Sequence, residues 1–233
     1  MGKLSYYDTW QIPDGGPYYA ETNLDAHIVE PWNAISSIAI ALPAIYWAWR
    51  TRGHIKDYPF LWVCIPFLFL NGFGSMLFHA FRSSKFFLWM DVLPAVLLTI
   101  LVSIYFWQRI LKNYYFTALI TIGIILSRLL AHYQFQGAWA INVSYGISGT
   151  MLFLPIVIYV FRSHFFGFKY ISISVICLIV ALGFRLIDKQ NWFDWSMGTH
   201  FLWHVFSGIG GFFLIAYFYK LKTRELKAGF QKQ

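Results

Sequence analysis

His200 and His204 stand four residues apart in the stretch GTHFLWHVF, at the entrance to an apolar run. Residues i and i+4 share a helix face, so both imidazoles can point at one ion. His79, near the end of the earlier stretch SMLFHAF, offers a third nitrogen from another helix. Three histidines plus one position left to water make a catalytic zinc arrangement. Zinc lowers the pKa of its bound water to about 7, which supplies hydroxide at neutral pH, and it polarises a carbonyl. Haem fits less well, because histidines on adjacent turns of one helix cannot take its opposite axial positions.

Asp91 in LWMDVLP and Ser75, one turn before His79, are the other polar candidates. Asp91 reads as the general base on the zinc water and then the acid for the leaving group. In a purely structural role it would pair with Arg128 or Arg185. Ser75 reads as a hydrogen-bond donor to a developing oxyanion, or as a hydroxyl bonded back to its own helix.

These residues need elements to hold them, and the composition says what kind. Apolar residues make up 58% of the 233-residue chain, charged residues only 12%, and the mean hydropathy is +0.55. A soluble domain carries about 25% charge. The chain therefore reads as a multi-span membrane protein, and its 21% aromatic content suits interfacial belts. The net charge of +8 does not indicate a nucleic-acid partner, because the basic residues sit in short loops between apolar runs. Cys64 and Cys177 both lie inside apolar runs and cannot form a disulfide framework. The first 30 residues hold no signal-type apolar core, so the first span is expected to direct insertion.

Seven apolar runs are long enough to cross a bilayer, which takes about 20 residues. They fall near 33–50, 59–81, 87–108, 114–133, 138–161, 169–187 and 199–219. The expected fold is all-α, a seven-transmembrane helix bundle. Residues 1–32 are expected to form an acidic extracytoplasmic N-terminal segment, 33–219 the seven-helix transmembrane domain, and 220–233 a basic tail that is mobile. Lys3, Arg82, Lys85 and Lys189 fall on the N-terminal side of the bundle. Arg50, Arg52, Lys56, Arg109, Lys112, Arg162, Lys169, Lys220, Lys222, Arg224, Lys227 and Lys232 fall on the other. The positive-inside rule makes the richer side cytoplasmic, so the N-terminus is extracytoplasmic or lumenal and the C-terminus cytoplasmic. With this topology Ser75, His79, Asp91, Arg128, Arg185, His200 and His204 all collect in the extracytoplasmic leaflet. Scattered core histidines would not do so.

EPWN at the head of span 1, SMLFH ending span 2, Asp91 early in span 3 and HFLWH opening span 7 together resemble the alkaline ceramidases. That family belongs to a wider superfamily with adiponectin/progestin receptors and haemolysin-III-type proteins. The resemblance spans all seven runs by order but is carried by about a dozen residues. It implies zinc held by His79, His200 and His204, with Ser75 and Asp91 beside the zinc water. It also implies hydrolysis of ceramide, a membrane lipid, to a sphingoid base and a fatty acid, in a bacterial inner membrane or a eukaryotic endomembrane.

The resemblance further implies calcium before span 1, where Tyr19, Glu21, Asn23 and Glu30 take the family's positions, Glu30 only across a gap. Tyr18 stands at the family's aspartate position, which removes one hard oxygen ligand, although Asp14 or Asp25 could replace it. Calcium takes six to eight oxygens. The other reading of this segment is a cap that hydrogen-bonds the start of the first helix. Ala20 replaces the cysteine of eukaryotic members, so a disulfide from that position is not expected. The wider superfamily leaves two alternatives: a receptor or regulator with a structural zinc, and a pore-forming protein.

Overall fold

The computed structural model describes residues 12, 14–135, 137–190 and 194–230. Lys3 and Lys232, both used in the charge count, lie outside the described residues. The described residues are all-α, with no strand, and form seven helical rods. The first rod is two pieces, α1 (Pro31–Ser36) and α2 (Ile38–Thr51). Then follow α3 (Pro59–Phe81), α4 (Lys85–Leu111), α5 (Tyr114–Gln134), α6 (Gly137–Arg162), α7 (Phe168–Ile187) and α8 (His200–Phe230).

Six of these helices, α3 to α8, are long and apolar enough to cross a membrane, so the chain is an integral multi-pass protein. The expected first span is the exception, because it is broken. Ser36 Oγ and Ser37 Oγ both donate back to the Asn33 carbonyl, at 3.1 and 2.8 Å. Such back-bonding bends helices. Ser37 stays in the right-handed helical region, so residues 31–51 still run as one bent rod.

Close approaches between rods occur where side chains vanish. A Cβ on Gly74 would strike the Met90 carbonyl, and one on Gly208 would strike the Ala39 carbonyl. A Cβ on Gly72 would meet the Ala41 backbone nitrogen at 2.5 Å. Small residues let membrane helices approach in this way. The contacts press α3 against α4, α3 against α2, and α8 against α2. α8 also packs along most of α7, where Ser174 Oγ donates to the Gly210 carbonyl at 2.8 Å.

The two ends of the bundle differ. Near the C-terminal part of α8 the packing is aromatic and aliphatic, with Phe106, Ile156, Tyr217 and Leu221 buried together. Near its start the buried groups are polar: Ser75, His79, Arg82, His200 and His204. The last helix also runs 11 residues beyond the expected span end at 219, to Phe230. It is held there by Glu225, which pairs with Arg109 of α4, and by Thr223, whose Oγ1 lies 3.1 Å from the Tyr58 hydroxyl. The region expected to be a mobile tail thus begins as docked helix.

Candidate metal centre

His79, His200 and His204 meet at the polar end of the bundle. Each offers a ring nitrogen, and the three atoms lie within 4.8 Å of one another. All three side chains are buried, at 1–2% exposure. Neighbouring groups fix how each ring presents itself. His79 Nδ1 is bonded to Glu30 Oε2, which leaves Nε2 to face the group. His204 Nδ1 lies 2.8 Å from Ser36 Oγ, which in turn donates to the Asn33 carbonyl. That chain of bonds places the proton on Nδ1 and leaves Nε2 as the donor. His200 Nδ1 is buried without a hydrogen-bond partner among the described residues. Carboxylate and hydroxyl partners behind histidines are the usual support of a metal ligand set. An orphaned imidazole nitrogen beside two others is costly unless something binds there. The three histidines therefore form a group able to hold a metal ion.

The backbone explains why these rings meet. His79 and Ala80 lie in the last turn of α3, where carbonyls have no helical partner. The N–H groups of Glu30 and Val29 donate to them at 3.1 and 3.0 Å, which sets the Glu30 carboxylate against His79. α8 begins at His200 because Asp188 Oδ1 accepts from the backbone N–H of Thr199 and of His200, at 2.7 and 2.8 Å. Burial pushes the Asp188 carboxyl up, against the pull of these N–H groups. The break between α1 and α2 turns Ser36 and Ser37 toward His204.

Ser75 and Asp91 belong to the same neighbourhood. Ser75 Oγ lies 3.1 Å from Ser37 Oγ, and the Asp91 carboxyl of the neighbouring helix is close enough to feel it. The glycine contact between Gly74 and Met90 brings α3 and α4 together here. Asn71 assists, with its amide donating to the Asp91 carbonyl at 2.6 Å. Among the described residues no ion pair joins Asp91 to Arg128 or Arg185. Arg185 instead donates to Asn142 Oδ1 at 2.9 Å and lies over the Tyr145 ring.

The segment before α1 covers the pocket. Tyr19 stacks on His200 with ring centroids 3.9 Å apart and touches His79 as well. Burial raises the pKa of its phenol well above the ordinary tyrosine value. Glu21 accepts from the Trp32 and Asn33 N–H groups at 2.6 and 3.0 Å, so it caps the start of α1. Asn23 is exposed and accepts from Asp25 N–H at 3.2 Å. Glu30 is fully buried: Oε1 takes Thr22 Oγ1 at 2.5 Å and Arg82 Nη1, and Oε2 takes His79. Burial pushes its carboxyl up, but His79 and Arg82 outweigh this and hold it below its ordinary range.

Several neighbours escape a sequence reading. Arg82 counts there with the loop charges, yet it is 1% exposed and bonded to Asp14 and Glu30. Asn33 is fully buried next to His204, with neither side-chain amide atom partnered among the described residues. Its place in EPWN is the one available signal. Ser36, Ser37 and Asp188 carry none.

Fold and site together define a multi-pass helical membrane protein with a buried three-histidine group that can hold a metal. No protein-family model matches the sequence, and a search of curated proteins also returns no match.

Proposed function

We propose that the protein is a zinc-dependent intramembrane hydrolase that cleaves the amide of an N-acyl lipid, most simply ceramide, to a sphingoid base and a fatty acid. The observation that carries this reading is the group of three buried histidines at one end of an apolar bundle, with Ser75 and Asp91 in the same neighbourhood. Zinc, suited to an all-imidazole donor set, supplies Lewis acidity toward a carbonyl and activates water at neutral pH. Asp91 takes a proton from the attacking water, whose oxygen bonds to the carbonyl carbon. It returns that proton to the nitrogen as the C–N bond breaks. Ser75, with Ser37 Oγ 3.1 Å away, has an O–H to give to the carbonyl oxygen as it gains charge. The Asn33 amide is free to bind a polar group of the substrate.

A cavity of about 250 Å³ between α4, α5 and α6 supports a lipid substrate. Val96, Ile100, Ile125, Leu129 and Met151 line it, with Arg128 and Ser144 as its polar members. Val96 lies on the same helix as Asp91, just over one turn deeper. The mostly apolar lining of the cavity suits part of an acyl chain. The Lys and Arg count supports an N-terminus and pocket on the extracytoplasmic or lumenal side.

The test is release of free fatty acid from ceramide in mixed micelles by the detergent-purified full chain. Stripping the protein with a strong chelator should abolish release, and added zinc should restore it. Undiminished turnover by the stripped protein would overturn the reading.

A further inference from the structure

Arg82 ends α3 and is buried to 1%, deeper than a charged residue lies without partners. Its Nε donates to Asp14 Oδ2 at 2.6 Å and its Nη2 to Asp14 Oδ1 at 3.2 Å, a two-pronged grip on one carboxylate. Nη1 donates to Glu30 Oε1, and Nη2 also donates to the Pro17 carbonyl at 2.9 Å. One planar cation thus joins two carboxylates that are themselves fully buried. A guanidinium is the side chain whose fork fits this geometry. Arg82 has φ 48° and ψ 24°, the left-handed conformation that closes a helix, with its N–H on the Phe78 carbonyl.

The carboxylates belong to different parts of the site. Glu30 holds His79. Asp14 anchors the segment that lies across the pocket, where Asp14 Oδ1 also accepts from Gly16 N–H at 2.7 Å. A Cβ on Gly16 would meet Phe78 Cζ at 2.8 Å and Arg82 Nη2 at 3.2 Å, so the strap lies flat on the end of α3. From there the chain reaches Tyr19 on His200. It is pinned again where Ala20 N–H donates to Asp188 Oδ2 at 2.9 Å. The Thr22 hydroxyl bonds Glu30 and accepts from Tyr19 N–H at 2.9 Å, which closes the loop back to the same carboxylate.

We infer that Arg82 is a positioning residue, a built-in cation that pins Asp14 and Glu30 together so that residues 14–22 stay strapped over the three-histidine pocket and slow the escape of its metal. The inference rests on the metal reading above. It follows that the positive charge beside Glu30 comes from the chain. Both Glu30 oxygens already carry partners, Thr22 and Arg82 on Oε1 and His79 on Oε2. Arg82 with Asp14 and Glu30 sums to one negative charge (+1 − 1 − 1), which favours a cation at the histidines.

Release of zinc to a coloured chelator, timed on the detergent-purified full chain, tests this. Arg82→Gly removes the guanidinium while suiting the left-handed backbone. It should release zinc roughly 10- to 100-fold faster, the usual effect of losing support behind a ligand. Added guanidinium ion should slow that release again, which it would not do after general loosening of the fold. Asp14→Asn keeps the side chain's size and leaves Glu30 on His79; it should shift release in the same direction by less, and it decides the matter alone if Arg82→Gly does not fold. The wild-type rate should be the same in calcium-depleted and calcium-replete buffer. Wild-type release rates in both variants, or a calcium-dependent rate in the unaltered protein, would overturn the role of Arg82. A wild-type protein that binds no zinc at all would instead overturn the metal reading.

Discussion

Glu30 Oε2 and His79 Nδ1 are hydrogen-bonded to each other in a place where both side chains are buried to 1% or less. A carboxylate behind an imidazole fixes the tautomer, orients the ring and makes the far nitrogen a better donor. Glu30 can serve so because it ends the pre-helical segment, with its N–H on the His79 carbonyl and its carboxylate on the His79 ring. One residue thereby completes the end of α3 and aims the first of the three histidines.

Replacing Glu30 by glutamine should weaken zinc binding by about 10- to 100-fold without removing a ligand. Competition with a chelator of known affinity measures it. Activity of Glu30→Gln should recover toward wild type in excess zinc. Unchanged affinity would mean that the bond does not support the metal.

Ser75 and Asp91 should separate chemistry from metal binding. Asp91→Asn should lower kcat by about 10²- to 10⁴-fold, the range for loss of general acid–base catalysis. Ser75→Ala should lower it by about 10²- to 10³-fold, as for loss of one oxyanion donor. Zinc content should stay at the wild-type level in both. Loss of zinc together with activity would place these residues in the metal's support instead.

The glycine contacts should be sensitive to size. Gly208→Val would force α8 off the Ala39 carbonyl and carry His204 away from Ser36, so the variant should lose thermal stability and zinc together. A Cβ on Gly211 would meet nothing within 4 Å, so Gly211→Ala is the control and should leave both unchanged. Equal behaviour of the two variants would contradict the close approach.

Orientation can be read from the termini. A tag at the N-terminus should be reachable from the extracytoplasmic or lumenal side and one at the C-terminus from the cytoplasm. Protease protection in sealed vesicles distinguishes the two arrangements. A cytoplasmic N-terminus would reverse the assignment and favour a receptor-type relative over a hydrolase.

Much of the fold is legible in the sequence because membrane helices announce themselves by length and apolarity. The expected runs at 59–81 and 169–187 fall within a residue of α3 and α7. The pairing of His200 with His204 follows from helical spacing alone. Arg82 is not legible, because a basic residue just past an apolar run looks like a loop charge. Its burial depends on Glu30 and Asp14, 52 and 68 residues away in sequence. The break at Ser36–Ser37 is hidden for a similar reason, since a serine bonded back to its own helix and a serine facing solvent are the same letter. The extension of α8 to Phe230 depends on Arg109 and Tyr58, which meet Glu225 and Thr223 only once the helices are packed.

The most direct test of the central claim is zinc content and fatty-acid release, measured on the same preparations of wild type and His204→Ala. Wild type should carry about one zinc per chain and release fatty acid from ceramide, and His204→Ala should lose both. Fatty-acid release by His204→Ala at the wild-type rate, or by a wild-type preparation free of zinc, would contradict it.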